Sequence, residues 1–130
     1  MRRFLGGMGF MAFMRLLGCG GATPEELASL AAEGYYRHLT AGEYEQFLQG
    51  KAGADSLPED YREQLLTGYK QFMAQQQKSH QGIGAIETTN ALMDTTTQQM
   101  QVFLLLHYGD STEEEIVVPM VEVKGRWQMK

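Results

Sequence analysis

Residues 98–108, QQMQVFLLLHY, carry the strongest strand pattern in the chain, and the fold prediction rests on them. Side chains of a strand point alternately to its two faces. One face therefore holds Met100, Val102, Leu104, Leu106 and Tyr108, while the other holds Gln99, Gln101, Phe103, Leu105 and His107. The first face is apolar apart from one phenol. We therefore predict that it packs against helices.

Three further strands surround this one in the sequence, at residues 82–93, 114–123 and 126–130. The connections are short and turn-like, and Lys124-Gly125 is typical of a tight hairpin, so the strands are expected to pair antiparallel. Proline has no backbone donor for a sheet ladder. We therefore expect a β-bulge at Pro119, which would place four residues on one face: Ile116, Val118, Val121 and Val123.

Helical patterns precede the strands. Thr23-Pro24-Glu25-Glu26 has the form of a capping box with proline at the first helical position. The apolar stripe of this helix is predicted to comprise Leu27, Leu30, Ala31, Gly34, Tyr35 and Leu39. A short helix carrying Tyr44, Phe47 and Leu48 follows, and a third is expected to be capped at Ser56-Leu57-Pro58-Glu59 and to fade over 75–77.

This order predicts an α+β domain over residues 24–130. The N-terminal helices, residues 24–78, pack on one face of a curved antiparallel sheet formed by residues 82–130. Trp127 follows the last tight turn, and we expect it to be buried at the end of the core.

The N-terminus has a different composition. Arg2 and Arg3 precede an apolar run over residues 4–14, and Leu16-Leu17-Gly18-Cys19 follows. This order resembles the bacterial lipoprotein signal, which implies a signal peptide at 1–18, acyl chains on Cys19 and a tether over 19–23. The resemblance places the chain in the bacterial envelope, in the outer membrane in preference to the inner, with the domain in the periplasm or at the cell surface. An ordinary cytosolic N-terminus with a free cysteine is the alternative.

Charge excludes some partners. The chain has 11 basic and 16 acidic residues, and removing residues 1–18 with their three arginines leaves a net charge of −8. A domain this acidic is not expected to bind nucleic acid. It would also be repelled by anionic lipid, so the lipid on Cys19 and not a basic patch would hold it at the membrane.

Several segments resemble the nuclear transport factor 2-like superfamily. Tyr35-Tyr36 and then Gly42-Glu43-Tyr44-Glu45 match the opening of that superfamily, and residues 107–112 with 121–127 match its small envelope lipoproteins of unknown function. The resemblance implies a cone-shaped α+β fold. Enzymes of the superfamily, such as isomerases and cyclases, transfer protons in a pocket between the long helix and the concave sheet.

The candidate site residues are few. No carboxylate lies on the helix-facing side of residues 98–108, which counts against an enzyme. The three histidines lack metal-ligand spacing, so we expect no metal, and we expect no cofactor. Glu113, Glu114 and Glu115 alternate between faces, which favours solvation over a cation site. The candidate pocket residues are Tyr35, Tyr61, Tyr108 and His107. The simpler interpretation is that the tyrosines are core and rim aromatics.

The opposite face of the strand offers a candidate interface at Gln101, Phe103 and Leu105, because small domains rarely leave such a stripe in water. The alternative is that a neighbouring segment covers it. The sequence thus favours a lipid-anchored, non-enzymatic module that binds a protein partner, a second copy of itself or a small neutral ligand. A cone-fold enzyme of the isomerase or cyclase type and a structural envelope component are the alternatives.

Overall fold

The computed structural model describes residues 21–130, so Cys19 and the predicted signal peptide lie outside the described residues. Its helices are α1 (Pro24–Thr40), α2 (Tyr44–Gln49) and α3 (Glu59–His80), with one turn of 3₁₀ helix at Ala54–Ser56. Its strands are β1 (Ile83–Asp94), β2 (Gln99–Tyr108), β3 (Glu113–Val123) and β4 (Arg126–Met129). The strands form one antiparallel sheet in the order β1-β2-β3-β4. The predicted α+β arrangement is therefore confirmed.

The core lies between α1 and the helix-facing side of the sheet. Along β2, buried and half-buried residues alternate without interruption, as the two-residue period of QQMQVFLLLHY predicted. The largest fully buried side chains come mainly from this strand and its neighbour β3; they are Leu48, Met100, Val102, Leu104, Leu106 and Met120. The alternation over residues 98–108 therefore identified the helix-facing side of β2 correctly.

Helix α1 begins where the capping box predicted. The Thr23 hydroxyl accepts the Glu26 backbone N–H at 3.1 Å, and the Glu26 carboxylate accepts the Thr23 N–H at 3.0 Å. The predicted cap of α3 at Ser56 is wrong. Ser56 ends the 3₁₀ turn, Pro58 occupies the cap position without a side-chain hydrogen bond, and α3 continues to His80 instead of fading at 75–77.

The predicted apolar stripe of α1 is wrong only in its first turns. Leu39 is buried and Ala31 and Tyr35 pack against the core as predicted, but Leu27 and Leu30 are exposed and Ala28 and Ala32 are buried in their place. Small side chains allow the helix backbone to approach the sheet closely, so the alanines and not the leucines take the inward face. Glu33 joins the two layers, because its carboxylate accepts the Thr88 hydroxyl of β1 at 2.5 Å and the Thr88 N–H at 3.2 Å.

The predicted bulge at Pro119 is wrong. The β2–β3 ladder runs through the Gln101–Pro119 pair without a shift of register. The Pro119 carbonyl accepts the Lys130 N–H at 2.9 Å, so the proline nitrogen lies on that same side and removes no donor from the ladder with β2. The helix-facing residues of β3 are consequently Ile116, Val118 and Met120. Val121 and Val123 point to the opposite face. The register shifts lie in β1 instead, at residues 84 and 89.

Candidate functional site

The four predicted pocket residues lie in separate places. Tyr35 is a packing residue: its hydroxyl donates to the Trp127 carbonyl at 2.7 Å, and its ring lies where a Cβ on Gly50 would collide with it. Tyr61 is 45% exposed in the first turn of α3. Tyr108 and His107 are sequence neighbours at the end of β2, so their side chains point to opposite faces of the sheet.

Tyr108 belongs to a cluster that joins the end of α3 to the β2–β3 turn. Its hydroxyl donates to Glu114 Oε1 at 2.5 Å, and its ring stacks on His80 with centroids 4.2 Å apart. His80 Nδ1 lies 3.2 Å from Asp110 Oδ2. Burial raises the pKa of Tyr108 to about 12, and the hydrogen bond to Glu114 adds to this effect. Hydrogen bonds from Thr112 lower the pKa of Asp110. The Tyr108 hydroxyl is therefore neutral near neutral pH, and it already donates its hydrogen bond to Glu114.

His107 lies on the face away from the helices. Its Nε2 is 2.6 Å from Glu87 Oε1 of β1, and its Nδ1 is 3.1 Å from Glu113 Oε2 of β3. Glu115 lies on the same face and accepts the Thr89 hydroxyl at 2.7 Å. The three consecutive glutamates do alternate between faces, as predicted, since Glu114 contacts Tyr108 on the helix side. His107 thus ties three strands together across the outer surface.

A cleft lies elsewhere in the described residues, between the helices and the β3 end of the sheet. Its volume is about 200 Å³. It is lined by Tyr36, Phe47, Lys51, Tyr69, Val117, Val118, Pro119, Met129 and Lys130. None of the four predicted pocket residues is among them. Asp, Glu and His are likewise absent from these lining residues.

One wall of the cleft is aromatic. Phe47 of α2 stands edge-on to Tyr36 of α1, with centroids 5.2 Å apart, and edge-on to Tyr69 of α3, with centroids 4.8 Å apart. Burial raises the pKa of both tyrosines; the nearby Tyr69 adds to the increase at Tyr36, and the nearby Tyr61 adds to the increase at Tyr69. Both hydroxyls therefore remain neutral hydrogen-bonding groups near neutral pH.

The cleft has a polar rim. Lys51, which follows α2, donates from Nζ to the Lys130 carbonyl at 3.3 Å. The segment around Lys51 is fixed to β4, because the Met129 N–H donates to Gly50 and the Ala52 N–H donates to Met129, both at 2.7 Å. Sequence reasoning placed Phe47 on the short second helix, but only the crossing of three helices brings it to one wall with Tyr36 and Tyr69.

The outer face of the sheet carries a second candidate surface. Gln101, Phe103 and Leu105 are half-buried there, and Phe103 pairs directly with the exposed Val117 of β3. Leu92 of β1, which pairs with Gln101, is 54% exposed. We call this group, Leu92, Gln101, Phe103, Leu105 and Val117, the outer row. It is a continuous, mainly apolar surface bordered by the carboxylates around His107.

Two other features are absent from residues 21–130. No group of three or more His, Cys, Asp or Glu side chains there is arranged to hold a metal ion. Within the same range, none of the helices combines the length and apolar character needed to cross a bilayer.

Comparison with known proteins shows the fold and no more. No family model matches the chain. No curated protein is similar to it either. A solved structure from Campylobacter jejuni, provisionally described as an NTF2-like transpeptidase, matches with a TM-score of 0.62 and 11% identity, covering 83% of this chain and 97% of that one. Helices packed on a curved four-stranded antiparallel sheet thus form the nuclear transport factor 2-like cone that the sequence resemblance implied.

Proposed function

We propose that this chain is a non-enzymatic binding module, anchored to the bacterial envelope through a lipid on Cys19. The observation that carries the proposal is the aromatic cleft, because Tyr36, Phe47 and Tyr69 offer an apolar wall with two neutral hydroxyls. Largely apolar concavities with a few polar groups are the usual form of small-molecule sites. Long helix α3 buries none of its residues, which leaves this side of the cone open to a ligand.

The lining chemistry favours binding over catalysis. Proton transfer at carbon requires a general base, most often His, Asp or Glu, within reach of the substrate. The residues lining the cleft include none of these three types, and Lys51 Nζ is engaged with a backbone carbonyl. The cone fold is shared with an isomerase or cyclase type of enzyme, but a shared fold does not carry an activity. The transpeptidase description of the Campylobacter jejuni protein is not transferred for the same reason.

The ligand proposed is small and neutral. A volume of about 200 Å³ lies below the roughly 300–1,000 Å³ of sites for drug-sized molecules, so one ring or a short chain would fill it. A net charge of −8 on residues 19–130 disfavours anions at long range. Lys51 and Lys130 at the rim would attract an anion at short range, so a neutral and an anionic probe are compared.

Isothermal titration calorimetry tests both points. The neutral single-ring probe p-cresol should bind to the full chain, and the anionic single-ring probe p-toluate, which is similar in size, should bind more weakly. Tyr69→Ser should weaken binding of the neutral probe, whereas Tyr61→Ser, on the same helix but outside the cleft, should not. Equal losses in both variants would move the site away from the cleft. Preference for the anionic probe would replace a neutral ligand by an acidic one.

Membrane anchoring has a separate test. In its native host the chain should be recovered with an acylated Cys19 as its first residue, and Cys19→Ser should release it from membranes. Mass spectrometry of the membrane fraction measures this directly. An intact, unmodified Met1 terminus would contradict the proposal. A purely structural envelope component would be anchored in the same way but would bind neither probe.

A protein partner or a second copy of the chain is the second candidate occupant, at the outer row, which shares only Val117 with the cleft. The specific observation in its favour is that Phe103 pairs directly with the exposed Val117 of β3, while the exposed Leu92 of β1 pairs with Gln101 two residues along β2. Contiguous apolar surface of this kind marks interaction sites more often than isolated side chains do. The carboxylates around His107 would then form the polar rim of the interface.

A further inference from the structure

Helix α1 exposes its two large apolar side chains. Leu27 and Leu30 are 47% and 63% exposed, whereas the alanines Ala28 and Ala32 of the same turns are fully buried. Residues three apart on a helix are surface neighbours, so the two leucines form one patch. We call Leu27 and Leu30 the leucine pair. It lies on the outward side of α1, so it does not belong to the outer row of the sheet or to the cleft.

The leucine pair lies close in sequence to the proposed anchor. Three residues separate Cys19 from the capping residue Thr23. Even fully extended, those four steps span at most about 14 Å. The helical rise places the leucine pair only about 6–10 Å further along α1. A lipid on Cys19 would therefore hold this patch within reach of the bilayer surface.

We propose that the leucine pair docks on the bilayer and holds α1 against it, an inference that rests on the proposed anchoring at Cys19. The charges around the patch are compatible with a zwitterionic surface. Arg37 is paired with Glu33 at 3.1 Å, and His38 Nδ1 lies 2.7 Å from Glu43. The Glu26 carboxylate is engaged by the Thr23 cap. The short span from Cys19 to Thr23 therefore makes the bilayer the occupant that we propose.

Methyl NMR with a paramagnetic membrane tests this docking. The full chain is recovered from membranes, placed in phosphatidylcholine nanodiscs that contain a gadolinium-chelating lipid, and labelled at leucine and alanine methyls. The methyl signals of Leu27 and Leu30 should be lost. The signal of Leu92, which is 54% exposed on the opposite layer of the domain, should remain. Loss of Leu92 with retention of the leucine pair would overturn the proposal, as would equal broadening of all three.

A double variant supplies the second measurement. Leu27→Ser combined with Leu30→Ser should restore the signal of the neighbouring Ala31 methyl, and Leu92→Ser should not. Unchanged Ala31 broadening in the double variant would show that the tether alone sets the distance, which contradicts docking. A dimer in sedimentation that depends on the leucine pair would assign the patch to a second copy instead.

The failure of the anchoring proposal is distinguishable. Mass spectrometry of the same sample reports whether Cys19 is acylated. If the chain is soluble and unmodified, anchoring fails, and the chain coupled through Cys19, its one cysteine, to a maleimide lipid is measured in the same nanodiscs. The leucine methyls then still decide whether α1 contacts the bilayer.

Discussion

Replacing Trp127 by alanine is expected to cost about 3–5 kcal/mol of unfolding free energy. Trp127 is 8% exposed in β4 and belongs to the core with Met129 and Met120. A buried aromatic side chain withdraws about 150–250 Å² from water, which at ~25 cal/mol per Å² corresponds to about 4–6 kcal/mol as an upper bound. The hydrogen bond from Tyr35 goes to the Trp127 backbone carbonyl and survives the substitution. The loss therefore measures side-chain packing alone.

The assay is urea denaturation followed by far-ultraviolet circular dichroism, since the variant has no tryptophan fluorescence. Leu30→Ala, at a side chain 63% exposed, is the matched control and should change the unfolding free energy of the free protein little. Emission from the wild type should be that of a tryptophan shielded from water. A cost below about 1 kcal/mol for Trp127→Ala, or water-like emission, would contradict the packing of β4 against α1.

Three further outcomes are expected. Thr23→Ala should lower the unfolding free energy, measured by urea denaturation, by about 0.5–2 kcal/mol, because it removes the cap of α1. The control Thr67→Ala, in the exposed middle of α3, should not destabilise the protein. The pKa of Tyr108 is about 12 in the folded protein against an ordinary 10.0, so its contribution to the unfolding free energy is complete below pH 10 and is lost as the pH rises towards 12. The difference in unfolding free energy between the wild type and Tyr108→Phe, measured across that pH range, tests this. Phe103→Glu should abolish self-association measured by sedimentation, while His107→Ala should leave it intact. If His107→Ala still associates but loses a measurable enzymatic turnover, the cone-fold enzyme would be favoured over the binding module.

Local patterns predicted most of the fold. The two-residue period of residues 98–108 identified the buried face of β2, and the capping box identified the first residue of α1. Both features depend on residues within a few positions of one another, so a single sequence contains all the information. The burial of Trp127 followed from its place after a tight turn, and the structure confirms it.

The errors share one cause. Periodicity shows that α1 has an apolar stripe but does not show which side faces the sheet, and close approach to β1 selected Ala28 and Ala32 over Leu27 and Leu30. A bulge was predicted at Pro119 because the sequence does not show which neighbouring strand its missing N–H would face. The register with β2 and the end of β4 leave its missing N–H outside the β2–β3 ladder.

The amino-acid sequence alone specifies the order of elements, the two faces of β2 and the acidic balance of the chain, since each of these is a local or additive property. The cleft depends on tertiary packing, because Tyr36, Phe47 and Tyr69 come from three different helices and meet through helix crossing. Tertiary packing likewise sets the partners of the two residues at the end of β2, since Tyr108 donates to Glu114 and His107 contacts Glu87. The relative positions of side chains from distant segments depend on how the helices pack on the sheet. No local stretch of the sequence specifies that packing.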